Sequence, residues 1–224
     1  MESKILDPVI VTGAPRSGTT LTMRWLEANG LQVGKKAAQA DLAEGRIRDE
    51  FFKPVLKSGG FDPLAQETMP PVGWRPKMSA AQARQKILDL AEVDYFSRPW
   101  GFKAIKGLLF WRLLHEAFPD AKWLLIYRLP PEHIDSLLRT PFMRAHSTRE
   151  GWREYLDTIY EHAADLQSVV RPYPLGPVRV FRPSLLRDPA GQEDRLKDVI
   201  AWLGLYYNPR SPHVYDQTKY RRHE

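Results

Sequence analysis

The sequence predicts an α/β protein, a parallel β-sheet wrapped by helices. Short apolar runs at 9–12, 121–127 and 178–181 alternate with amphipathic stretches at helical spacing, the pattern of strand–helix–strand units. The run 121–127 is apolar almost throughout, as in a strand covered on both faces. The first run leads straight into a glycine turn and a helix, and sheets of this class bind ligands at the carboxyl ends of their strands. At 224 residues the chain can build one sizeable core but is short for two, so a single domain over 1–224 is expected.

The glycine turn is the most informative stretch. After Val9-Ile10-Val11-Thr12 come Gly13-Ala14-Pro15-Arg16-Ser17-Gly18-Thr19-Thr20, then Leu21, Trp25 and Leu26 at helical spacing and an Asn29-Gly30 stop. A turn so placed presents backbone N–H groups at a helix N-terminus, where the helix dipole also favours a phosphate-like anion. The spacing G-x-x-x-x-G is that of a nucleotide P-loop, but Thr19 stands where an NTPase carries its lysine. The nearest cation is Arg16. Without that lysine, kinase or NTPase chemistry loses a main stabiliser of phosphate charge, while the anion cradle survives. The plain structural alternative is a strand–turn–helix whose glycines serve backbone geometry alone.

Composition narrows the field. Hydrophobic residues at 43% and charged residues at 27% are ordinary for a folded protein. A net charge of +6 suits a polyanionic ligand, nucleic acid or an acidic surface. The cations are dispersed apart from the tail Lys219-Tyr220-Arg221-Arg222-His223, which argues against a dedicated nucleic-acid arm. The absence of cysteine excludes disulfides, thiolate metal sites and cysteine nucleophiles. Six histidines without ligand spacing predict no metal site. Neither a signal-peptide core nor an apolar run of membrane length is visible, so a cytoplasmic protein with no membrane partner is expected. Nothing in the chain speaks to oligomeric state.

The remaining elements follow in order. Residues 31–76 are irregular, broken by Gly59-Gly60 and Pro70-Pro71, with short helices expected at 37–42 and 49–56, the latter turning Phe51, Phe52, Val55 and Leu56 inward. A long segment of this kind, over 31–97, is expected to form a lid or a substrate-binding wall. Ser79 can cap a helix that buries Ile87, Leu88 and Ala91. A second, short strand ending in a turn is expected over 101–107, then a helix over 108–117, and a strand over 121–128 ending in Arg128. Pro130-Pro131 suits a first helical turn. A long helix over 148–170 carries Trp152, Tyr155, Leu156, Ile159, Ala163 and Leu166 at core spacing. Asp188-Pro189 is expected to open the last helix, whose apolar face of Leu196, Val199, Ile200 and Leu203 stops at Gly204.

Arg128, at the end of a buried strand, and Ser136, eight residues on and two helical turns into the next element, could return to one rim and hold a second phosphate. Taken with GAPRSGTT about a hundred residues earlier, the pattern strand–Arg–Leu–Pro–x5–Ser resembles the bacterial type of sulfotransferase that uses 3′-phosphoadenosine 5′-phosphosulfate (PAPS). The likeness extends to Trp100-Gly-Phe-Lys103, to Phe118–Arg128, to Leu185-Leu186-Arg187-Asp188-Pro189, and to Trp202-Leu203-Gly204-Leu205. The resemblance implies a three-layer, P-loop NTPase-like sulfotransferase fold and metal-independent transfer to a hydroxyl or amine of a small molecule or glycan, leaving the desulfated nucleotide PAP. It implies that Arg16, Ser17, Gly18, Thr19 and Thr20 cradle the phosphosulfate and that Arg128 and Ser136 grip the 3′-phosphate. Lys103 and Arg16 become the catalytic cations, with Lys106 as a second candidate, and the tail 217–222 a basic cover over the nucleotide.

The resemblance breaks at the base. Ile105 stands where cytosolic members carry histidine, and Gly34-Lys35-Lys36-Ala37 where others carry glutamate. The remaining candidates for the base are Asp49, taken first, and Glu50, in a stretch loosely similar to an acidic-aromatic segment of bacterial members, with Glu67 and His146 behind them. Phe181-Arg182-Pro183 replaces the family's Tyr-Glu-Asp. Two other readings stay open, a P-loop nucleotide kinase or NTPase and a non-catalytic nucleotide-binding protein.

Overall fold

The computed structural model describes residues 5–34, 44–186 and 190–211. Its strands are β1 (Val9–Gly13), β2 (Gly101–Lys103), β3 (Lys122–Ile126) and β4 (Val178–Phe181), all parallel, in the order β2-β1-β3-β4. The helices in chain order are α1 (Thr19–Ala28), α2 (Glu44–Ile47), α3 (Lys53–Ser58), α4 (Ala80–Ala91), α5 (Trp111–Ala117), α6 (Pro130–Leu138), α7 (Arg149–Val169) and α8 (Glu193–Leu203).

Alternation along the strands divides the interior in two. Ile10, Phe102, Trp123 and Leu125 face a core filled from α4 to α7, while Val9, Val11, Leu124 and Ile126 face one filled from α1 and α8. The result is three layers, helices–sheet–helices, as the sequence led us to expect. Trp25 of α1 stacks on Phe181 of β4 with ring centroids 5.2 Å apart, tying the first helix to the edge strand. Because β2 lies on one side of β1 and β3 on the other, the chain reverses its direction of winding at β1. The carboxyl end of β1 is thus the switch point, where such sheets open a crevice.

Local signals hold at most boundaries. Ser79 Oγ accepts the Gln82 N–H while Gln82 Oε1 accepts the Ser79 N–H, a capping box. Thr148 caps α7 through the Gly151 N–H, and α8 ends at Gly204 in the left-handed region. The first turn of α8 carries Glu193 and Asp194, where negative charge suits the dipole. The opening expected at Asp188-Pro189, the short helix at 37–42 and the basic tail all lie outside the described residues. No helix among the described residues is long and apolar enough to cross a membrane.

Two elements differ from expectation. The short strand expected within 101–107 ends at Lys103, and the turn after it is a 3-10 helix (Ile105–Phe110), so the helix expected from 108 begins only at Trp111, as α5. Thr12 Oγ1 donates to the Ala104 carbonyl at 2.7 Å, pulling the chain out of strand register. Between α2 and α3 the backbone widens into one π turn (Arg48–Phe52), closed by the Lys53 N–H on the Arg48 carbonyl. The wider turn lets adjacent Phe51 and Phe52 both point inward, against Phe110 at 6.2 and 5.0 Å. Val55 and Leu56 are buried with them.

The turn after β1 owes its shape to two close approaches. A Cβ on Gly13 would sit 2.5 Å from the Ile126 carbonyl oxygen of β3. A Cβ on Gly18 would sit 2.7 Å from Pro183, and Gly18 adopts φ +104°. Gly18→Ala is therefore expected to cost about 1–3 kcal/mol in urea unfolding. Gly45→Ala, inside α2 with nothing within 4 Å of the added carbon, is expected to stabilise by about 0.5–1 kcal/mol.

Candidate functional site

The turn joining β1 to α1 curls its backbone around the helix N-terminus. Arg16 sits at φ +66°, a conformation that a non-glycine residue holds only when its surroundings enforce it. Ser17 and Thr19 are buried, and Thr22 Oγ1 donates back to the Gly18 carbonyl. Ser17 Oγ has no hydrogen-bond partner among the described residues and lies 3.1 Å from the point where a Gly13 Cβ would be. A buried hydroxyl left in that state at a helix N-terminus is suited to an anion's oxygen.

Three cations reach this turn from different elements. Arg16 belongs to the turn itself. Lys103, the last residue of β2, lies opposite Val11 on the α1 face of the sheet and is 5% exposed; its Nζ donates to Thr20 Oγ1 at 2.7 Å. The register puts an ammonium at the positive end of the helix dipole, an arrangement unfavourable by itself and favourable once an anion lies between. Arg128 follows β3, and its Nη1 donates to the Arg16 carbonyl at 3.3 Å, while its Nε lies 3.7 Å from the half-exposed Glu132 carboxylate. The strand-end arginine and the turn thus share one rim.

Helix α6 buttresses the turn from below. His133, fully buried, places Nε2 2.7 Å from the Pro15 carbonyl and Nδ1 3.3 Å from the Tyr160 hydroxyl of α7. A carbonyl can only accept, so Nε2 carries the proton and Nδ1 is the acceptor. Ser136 is buried three residues further along α6, on the same helical face as His133 and hence turned to the same side. His133 and Tyr160 were not singled out from sequence. The available signal was the i, i+3 spacing of His133 and Ser136, which puts a histidine on the face expected to meet the phosphate.

The other candidates sit elsewhere. Lys106 is buried in the 3-10 helix, and its charge acts on Asp62. Burial pushes the Asp62 carboxyl up, but the N–H groups of Gln66, Leu64 and Glu67, with Lys106, outweigh it and leave it low. Asp49, the expected base, is engaged by the Arg48 guanidinium and by Lys53 at 2.7 Å, contacts within its own turns of helix. The Arg48 hydrogen bonds hold its carboxyl well below the usual carboxylate range against the opposing effect of burial, with Lys53 adding, so it is a poor proton acceptor. Glu50 pairs with Arg46, Glu67 is exposed, and His146 Nε2 donates to the Gln66 carbonyl with its ring edge-on to Trp152. Arg182, which stands in the departure from the family pattern, lies 5.5 Å from the ring centroid of Tyr127. Among the described residues no cluster of three metal-ligating side chains occurs.

Burial pushes the His133 imidazole down to about 4, and the charges of Arg128 and Arg16 act in the same direction against the Pro15 carbonyl. The native state consequently binds fewer protons than the unfolded chain between pH 6.5 and about 4, and acidification through that window costs stability. His162, lowered by burial, adds to the same slope. His133→Gln is expected to flatten the fall of Tm over that window, measured by thermal unfolding at stepped pH.

Residues 8–209 match the family model described as the sulfotransferase family. The fold is similar to that of the sulfotransferase domain from the Synechococcus PCC 7002 olefin synthase, with a TM-score of 0.53 and 17% identity over 96% of this chain and 80% of that one. It is similar also to the sulfotransferase domain from the curacin biosynthetic pathway, with a TM-score of 0.53 and 12% identity over 95% and 79%. No curated protein matches the chain. The three-layer sheet is that of the P-loop NTPase-like sulfotransferase fold, the family match runs through nearly every described element, and the chain belongs to the sulfotransferase family.

Proposed function

We propose that this sulfotransferase takes PAPS as its donor and passes the sulfuryl group to a hydroxyl or amine on a small molecule or glycan. The observation that carries the reading is the convergence on one turn of cations from two separate strands, Lys103 at Thr20 and Arg128 at the Arg16 carbonyl. A nucleotide with phosphates on both its 3′ and 5′ sides matches two such charged positions on one rim. The unpartnered, buried Ser17 hydroxyl and the α1 N-terminus fit an anionic group in the turn.

The donor supplies an activated sulfuryl group on a phosphate leaving group. In this reading the amides of the turn, with Ser17, Gly18, Thr19 and Thr20, hold the 5′ side. Lys103, already held at the Thr20 hydroxyl, neutralises charge building on the departing phosphate, with Arg16 beside it. Arg128, planar and permanently charged, would grip the 3′-phosphate together with Ser136. Asp49 is left out of the base role because its carboxylate is committed to Arg48 and Lys53. The segment 31–97 forms the acceptor-side wall in this proposal.

The test is nucleotide preference. PAP is expected to raise Tm well beyond ATP with magnesium; equal or greater stabilisation by ATP–magnesium would turn the reading toward a kinase or NTPase, and no response to either toward another ligand. Arg128→Ala is expected to weaken PAP by about 1.5–3 kcal/mol in calorimetric titration while sparing 5′-AMP. Lys103→Ala is expected to lower kcat about 100- to 1,000-fold, with a smaller change in PAP affinity, in a single-turnover transfer assay.

A further inference from the structure

The buried pair under the site, His133 and Tyr160, belongs to neither charged position yet touches both. His133 Nε2 holds the carbonyl of Pro15 inside the turn at 2.7 Å. Tyr160 O–H lies 3.3 Å from His133 Nδ1 and 3.4 Å from the Arg128 carbonyl just beyond β3. From the turn to the strand end, the path crosses two side chains from two helices. The Tyr127 ring, beside Arg128, packs on the Tyr160 ring at 5.6 Å.

We infer that His133 and Tyr160 form a positioning bridge that fixes the Pro15–Arg16 peptide relative to the Arg128 strand end, so that both ends of one nucleotide are gripped at a set separation. The inference rests on the donor reading above for its ligand, and on geometry alone for the bridge. A peptide is planar and trans, so pinning the Pro15 carbonyl toward His133 directs the Arg16 N–H away from α6. It also restrains the residue that sits at φ +66°. In a neutral imidazole whose Nε2–H donates to the Pro15 carbonyl, Nδ1 is left to accept from the Tyr160 phenol. Burial and the adjacent Arg128 and Arg16 charges hold His133 in that form, and burial keeps the Tyr160 phenol protonated. The single phenol proton lies between two acceptors, Nδ1 and the Arg128 carbonyl, so the two contacts share one donor and are made through one oxygen.

Three full-length variants test the bridge. His133→Leu removes both links, Tyr160→Phe removes the phenol alone, and His133→Gln keeps an N–H for Pro15. Hydrogen exchange without nucleotide is expected to rise about tenfold at the amides of 13–20 and at 127–129 together in His133→Leu and Tyr160→Phe. Exchange in β3 and α8 should stay as it was, and His133→Gln should restore the turn. Exchange unchanged at 127–129 when His133 is replaced, or raised uniformly through β3 and α8, would overturn the bridge; if His133→Leu does not fold, Tyr160→Phe and His133→Gln decide. With ligand, the gain in affinity on going from 5′-AMP to PAP is expected to shrink at least about threefold in Tyr160→Phe, and a double variant should lose little more than the worse single one. A native protein that does not prefer PAP to 5′-AMP would sink the donor reading, while the exchange measurement would still judge the bridge.

Discussion

The close approach of β1 to β3 at Gly13 is the constraint on which the rim depends. The α-carbon there leaves no room for a side chain against the Ile126 carbonyl, so the backbone can leave the sheet at once and curl over the helix N-terminus. Were it to leave later, α1 would start further out and Lys103, at the end of a three-residue strand, could not reach Thr20. The same geometry brings the residues just after β3 within reach of the turn's carbonyls, which is how Arg128 meets Arg16. Backbone proximity thus sets the charge pattern.

That pattern concentrates positive charge at the turn. A buried ammonium at a helix N-terminus, an arginine in a left-handed conformation and a second guanidinium on its carbonyl all raise the local positive potential. The histidine beneath stays neutral under the same influence. An anion would offset the charge of such a group of cations, while the left-handed backbone of Arg16 is a separate, steric cost. Sites that store such tension are commonly the functional ones.

Much of this was legible in the sequence because the signals were local. Glycine spacing, the apolar run of β3, the Ser79 cap and the heptad-like face of α7 all act within a few residues of themselves. Long-range contacts were not legible. The end of β2 depends on Thr12 capturing the Ala104 carbonyl, 92 residues away, and periodicity cannot see that bond. The inward face of Phe51, Phe52, Val55 and Leu56 was legible from helical spacing, but the π turn at Arg48–Phe52 within it was not. His133 carries no motif at all; its meaning comes from a proline carbonyl 118 residues earlier. Asp49 was a candidate base through a loose likeness to an acidic-aromatic segment of the family, and its flanking Arg48 and Lys53 change its character through contacts within its own turns of helix.

The contact between Gly18 and Pro183 bears on how portable the turn is. Its curvature is imposed partly by β3 and partly by the residues that follow β4, both more than a hundred positions downstream. The octapeptide 13–20 grafted onto a foreign strand–helix junction would keep its letters and lose its form. A smaller residue at 183 would ease the contact of a side chain at 18 but not the strain of its φ of +104°. Position 18 is therefore held to glycine twice, by its backbone and by a neighbour far along the chain.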